Sequence, residues 1–85
     1  MTGFRRELDA EIGRRVRGRR KALKLSQPAL ARAVGVSARQ VQKYEAGLDA
    51  ISFAHLVDIA ATLDCRVFDL VGNLRDIDAS ATKQG

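Results

Sequence analysis

Residues 26–47 read SQPALARAVGVSARQVQKYEAG, and this stretch decides the fold. It has the pattern of two short helices joined by a tight turn at Gly35-Val36-Ser37. Ser26 and Ser37 are N-cap residues, whose side-chain oxygens can accept from otherwise unpaired first-turn amides. Leu25 with Leu30, and Val36 with Val41, form hydrophobic staples around those caps. Ser37 with Gln40 also makes an S-x-x-Q capping box. Pro28 falls in the first turn of its helix, where a missing N–H costs little. Gly35 and Gly47 stand where a left-handed residue ends a helix. In the second helix Val41 and Tyr44 can face inward together, while Ser37, Ala38, Arg39, Gln40, Gln42 and Lys43 remain on outer and flanking faces.

The same grammar extends in both directions. Leu8, Ile12, Val16 and Leu23 recur at helical spacing and predict a first helix over about 8–23. Arg20 falls beside that apolar stripe, so its guanidinium must snorkel to water or find an acid. Ser52, flanked by Ile51 and Leu56, caps a fourth helix over about 53–63, with Leu56, Ile59, Ala60 and Leu63 inward. A short fifth helix over about 67–71 carries Val67, Leu70 and Val71 and stops near Gly72. No alternating β-branched run argues for a strand. Residues 1–10 read as a basic lead-in, 11–72 as the folded domain and 73–85 as a tail, although Leu74 and Ile77 could extend the last helix. No internal repeat or second domain is expected.

Eighty-five residues make one small domain, and a composition 46% hydrophobic with only 5% aromatic requires an aliphatic core. The formal charge of +5 is unevenly spread: residues 1–24 carry nine Lys/Arg against three acids, and residues 48–85 carry three against six. A basic end on a folded domain suits a polyanionic partner, although it also serves as a solubilising surface. The single cysteine excludes an internal disulfide. No apolar run of about 18 residues and no signal-peptide pattern is present, so a cytoplasmic protein is expected.

An exposed helix bearing Arg, Gln and Lys suits the DNA major groove. Arg and Lys can donate to guanine O6 and N7, Gln can pair with adenine, and Ala38 is small enough to touch a thymine methyl. The first-turn amides at Gln27, with its side chain, can meet a phosphate. A solvated outer face is the ordinary alternative for any one such helix.

Other residues have plainer readings. His55 lacks partners for a metal or catalytic role and reads as a surface or interface side chain. Cys65 reads as an inert core thiol, and Tyr44 as core with its hydroxyl at the edge. Arg14, Arg15, Arg17 and Arg19 cannot all face one way, so some can meet phosphate while the rest are solvated. No nucleophile–base set, phosphate loop, metal cluster or cofactor motif is visible, and no enzyme is expected.

From Ile12 to Val71, about 60 of the 85 residues, the chain resembles the Cro/cI/Xre family of phage-repressor-like helix-turn-helix domains. The resemblance rests on LSQPALA at 25–31, VGVS at 34–37, the Val41/Tyr44-Glu45-x-Gly47 exit, and LxxIAxxLxCxxxDLV at 56–71. It implies an all-α fold, a compact five-helix bundle of the lambda-repressor-like kind, binding double-stranded DNA as a homodimer in a bacterial or phage setting. Base-reading positions would fall on Ala38, Arg39, Gln40 and Lys43, and phosphate contacts on Gln27, Ser37 and Gln42. A structural ion pair would join Arg20 to Glu45, which meets the independent need of Arg20 for an acid. Two positions depart from the family pattern. The loop after the third helix, usually basic, is Leu48-Asp49-Ala50-Ile51, and Arg66 stands where a capping Ser is frequent.

These features predict a transcriptional regulator, most simply a repressor, without metal, cofactor or appended effector domain. Val67, Val71 and Leu74 are candidate dimer residues. The alternatives are an autoregulating antitoxin of a toxin–antitoxin pair and a protein-interaction module on the same fold.

Overall fold

The computed structural model describes the backbone of residues 2–73 and the side chains from Arg6 onward. Five helices follow in order among them: α1 (Thr2–Ala22), α2 (Gln27–Val34), α3 (Ala38–Ala46), α4 (Phe53–Thr62) and α5 (Val67–Val71). The result is the expected all-α five-helix bundle with a helix-turn-helix at α2–α3.

Three helix starts carry the caps that the sequence requires. Ser26 Oγ accepts from Ala29 N at 3.1 Å, Ser37 Oγ from Gln40 N at 3.0 Å and Ser52 Oγ from His55 N at 3.2 Å. Gly35 (φ 84°) and Gly47 (φ 74°) end α2 and α3 in the left-handed region, where other residues are strained. The start of α5 differs in mechanism. Arg66 offers no acceptor, so Asp69 reaches back and its carboxylate accepts from Arg66 N at 2.8 Å.

Two expectations about the first helix need correction. It starts at Thr2, through the residues read as a lead-in, because no proline interrupts a stretch holding Arg5, Arg6, Glu7 and Leu8. Leu23 does not join the apolar stripe. The helix ends at Ala22, Lys24 turns into the left-handed region, and Leu23 is left 42% exposed. The residues from Leu74 onward, including any extension of the last helix by Leu74 and Ile77 and the dimer candidate Leu74, lie outside the described residues.

Every helix supplies the core. Val16, Leu30, Val41, Ile59 and Leu70 come from α1 to α5 in turn, and each is at most 2% exposed. Burying one such side chain contributes about 1.5–3 kcal/mol. Ile12, Leu25, Val36, Ile51, Cys65, Val67 and Val71 pack around this centre. α1 packs against α3 and α5, α2 against α3 and α4, and α4 against α5.

The α1–α3 contact is made by backbone. A Cβ on Gly13 would stand 2.3 Å from Tyr44 O and 2.7 Å from Glu45 O, and one on Gly47 would stand 2.7 Å from Ala10 Cα. Arginines of α1 then close the far end of the bundle. Arg19 donates to Leu63 O (3.1 Å) and Asp64 O (2.8 Å), and Arg15 donates to Gly72 O. These carbonyls end α4 and α5, where a cation is favoured by the helix dipole.

Gly13→Ala forces α1 and α3 apart and is expected to cost about 1–3 kcal/mol or more. Gly18→Ala is its control: a Cβ there meets nothing within 4 Å, and helix propensity gains about 0.5–1 kcal/mol. Thermal melts should shift in opposite directions. Equal shifts would refute the backbone contact.

Candidate nucleic-acid interface

α3 sorts its residues by face. Val41, Tyr44 and Glu45 are buried, whereas Arg39, Gln42 and Ala46 are exposed and Lys43 is half-exposed. Arg39, Gln42, Lys43 and Ala46, with Leu48 from the following turn, line one open groove on the outward side. Among the described residues the ion pairs involve Arg14, Arg15, Arg20 and Arg66, and neither Arg39 nor Lys43 enters one. Among the described residues the outer face therefore offers two cations and an amide with no side-chain partner.

The residues assigned to bases and phosphates from sequence do not all share that face. Ala38 lies on a flank, half-buried against the core. Gln40 lies on the opposite flank, and its Nε2 donates to Asp49 Oδ2 at 3.0 Å. This corrects the capping-box expectation. The Gln40 side chain is turned so that its NH2 donates to a carboxylate, a charge-assisted bond, and its Oε1 does not return to accept from the Ser37 N–H. Gln42, assigned to phosphate, borders both the groove of Arg39 and Lys43 and a second cleft. That cleft is lined by Arg17, Ser26, Gln27 and Pro28 at the start of α2. Ser37 is exposed with its oxygen already accepting the α3 cap bond.

Behind the face lies a buried network. Glu45 Oε2 accepts from Arg20 Nε at 2.6 Å, and Glu45 Oε1 accepts from Arg20 Nη2 at 3.0 Å. Gln27 Nε2 donates to the same Oε1 at 3.0 Å, and Arg20 Nη1 donates to Leu25 O at 2.8 Å. Both charged side chains are nearly excluded from water, 11% and 3% exposed. The bond to Glu45 raises the proton affinity of Arg20 against the opposing pull of burial. Gln27 is thus held by the ion pair while it borders the cleft. No sequence signal identified the Gln27–Glu45 or Gln40–Asp49 bonds, since both are tertiary pairings of polar residues distant in sequence.

On the Tyr44 flank, the buried phenol meets His55 Nδ1 at 3.2 Å. Burial and, secondarily, the Asp49 charge push its pKa up. Burial likewise pushes the Cys65 thiol up, which disfavours the reactive thiolate. Among the described residues no group of three metal-ligating side chains gathers, and no helix is long and apolar enough to cross a membrane.

Comparison with known proteins gives the geometry a context. A family model described as helix-turn-helix matches residues 16–70. Over 56 residues the chain is 55% identical to an uncharacterized transcriptional regulator in the ATPase CF(0) region of Rhodospirillum rubrum, covering 66% of this chain and 52% of that one. The chain spans about half the length of the curated relatives it matches. It superposes on the restriction-modification controller protein C.AhdI from Aeromonas hydrophila with a TM-score of 0.69 and 31% identity, covering 72% of this chain and 92% of that one. The P22 c2 repressor, solved in complex with a synthetic operator, gives a TM-score of 0.68 and 33% identity with the same coverage.

Two measurements test the network and its flank. Glu45→Ala leaves Arg20 buried without its partner and should cost about 3–5 kcal/mol, whereas replacing Arg20 and Glu45 together by Met and Leu should cost much less. A chemical-denaturation series in the reverse order would refute the buried pair. Tyr44 is the only tyrosine, so phenolate absorbance reports it alone. Its midpoint should lie above about 10 in the folded protein and return there in denaturant. Because the folded value is the higher one, this stabilisation is complete below pH ~10 and is lost as pH rises through the folded pKa. Identical midpoints in both states would contradict burial of the ring.

Proposed function

Because the chain belongs to the helix-turn-helix family of DNA-binding transcriptional regulators, of the Xre/Cro-cI type, we propose that residues 11–72 bind duplex DNA sequence-specifically through α3. The fold and family are those of a DNA-binding regulator and not of an enzyme. The observation that carries the proposal is the outward face of α3. Among the described residues Arg39 and Lys43 stand there without acid partners, on a helix whose orientation the buried Arg20–Glu45 pair holds. Such donors match the O6 and N7 acceptors of guanine in the major groove.

In this reading Arg39 and Lys43 are the principal base-reading residues. Gln42 reaches the same groove, and Ala38 approaches from the flank. Gln27 and Ser37 meet phosphate, Gln27 with the amide hydrogen that Glu45 does not use. Arg17 joins them from the cleft at the start of α2. Binding as a homodimer on two half-sites, and repression by covering a promoter, complete the reading. The protein acts in the cytoplasm, on the nucleoid. Phe53 and Val57 on α4 and Phe68 on α5 are exposed apolar side chains that favour a protein contact, which suits a second copy. An antitoxin would use the same DNA face, and its distinguishing feature is a toxin bound to the remaining surface.

Selection from a random duplex pool should yield a two-fold symmetric site. Affinity for it should fall with salt at a slope near −0.9 per phosphate contact. Arg39→Ala should cost about 1–3 kcal/mol and relax preference at one base position, whereas Gln27→Ala should weaken all sequences alike. Unchanged affinity and preference in Arg39→Ala would remove α3 as the reading helix.

A further inference from the structure

The turn after α3 is the least expected part of the DNA-facing side. A basic residue there would grip the phosphate backbone, yet the chain places Leu48 and Asp49 in it. Neither can make a phosphate grip: one is apolar and the other is an anion. The structure shows what they do instead. Leu48 is 73% exposed and lines the same groove as Arg39, Gln42, Lys43 and Ala46. Asp49 turns its carboxylate onto the Gln40 amide at 3.0 Å.

We propose that this turn is a second reading element, in which Leu48 contacts the 5-methyl group of a thymine beside the bases met by Arg39 and Lys43. Asp49 is its positioning residue, acting through Gln40. The proposal rests on the DNA reading given above and names a further determinant of specificity within it.

Three observations carry it. First, the backbone that carries the leucine is fixed. Gly47 is left-handed, Gly47 N donates to Tyr44 O at 3.1 Å and Leu48 N donates to Lys43 O at 2.9 Å, so the turn is bonded to the last turn of α3. Second, the turn is bonded to α3 again on the other flank through Asp49 and Gln40, nine residues apart in sequence. A residue between two such fastenings loses little backbone freedom on binding. Third, its surroundings fit one chemistry. The major-groove edge of a thymine next to a guanine presents a methyl group beside two strong acceptors. The groove presents an exposed leucine and Ala46 beside two cations. The Asp49 carboxylate, already accepting from Gln40, has a role that needs no contact with phosphate.

The test uses the full chain and the duplex selected from a random pool, with each thymine replaced in turn by deoxyuridine, which removes only the methyl group. One thymine in each half-site, next to the base whose preference depends on Arg39, should lose about fourfold in affinity, the size expected for one carbon group leaving water. Leu48→Ala should abolish that difference, binding the thymine and uracil duplexes alike. Asp49→Ala should shrink the difference with Leu48 still present, and Asp49→Asn, which keeps an acceptor for Gln40, should restore it. All thymines indifferent to methyl loss, or a full methyl effect in Leu48→Ala, overturns the proposal and leaves the DNA reading intact. Leu48→Ala that converts a dimer to a monomer while keeping the methyl effect also overturns it, and assigns Leu48 to a protein interface. A pool that yields no bound sequence overturns the DNA reading and this proposal together.

Discussion

The Glu45 carboxylate is the point on which the orientation of α3 depends. It sits near the end of that helix and accepts from two nitrogens of Arg20 on α1 and from Gln27 at the start of α2. Arg20 extends the tie to the α1–α2 turn through Leu25 O. Three elements and one turn therefore meet at one anion. The net stability gained is small, because desolvating two charges offsets much of their attraction. What the arrangement supplies is geometry. A planar guanidinium bonded bidentately to a carboxylate fixes both distance and angle, which an aliphatic contact does not. Gly13 works with it. Without a Cβ, α1 lies directly on the carbonyls of Tyr44 and Glu45, close enough for Arg20 to reach across.

Local chemistry was legible in the sequence, and it accounts for most of the fold. The caps at Ser26, Ser37 and Ser52 and the stops at Gly35 and Gly47 each depend on residues within four positions. A linear reading contains that information. The Arg20–Glu45 pair became legible because a guanidinium beside an apolar stripe demands an acid, and the family resemblance supplied one. Gly13 left no such signal: a glycine inside a helix looks like a small loss of propensity until the neighbouring backbone is placed. The start of α1 is not legible for a related reason. An apolar stripe marks only the part of a helix that covers the core, and good helix formers continue the helix beyond it.

The cations show how little of a site charge alone defines. The amino-terminal segment carries nine basic residues within 24 positions, and this suggested a polyanion partner. Several of them are spent inside the protein. Arg14 and Arg15 pair with Glu11, whose pKa they lower, and Arg15 and Arg19 also bond carbonyls at the ends of α5 and α4. Arg20 is buried against Glu45. Formal charge counts all of these equally, but a groove lined by Arg39 and Lys43 has only the cations that the fold has not used. The same logic runs in the other direction for Asp49. By sequence it is one more acid in a carboxyl-terminal half of negative balance, and a departure from the basic pattern of the family's loop. Bonded to Gln40, it fastens a turn to the reading helix, and its effect on a nearby polyanion depends on where that bond holds the carboxylate.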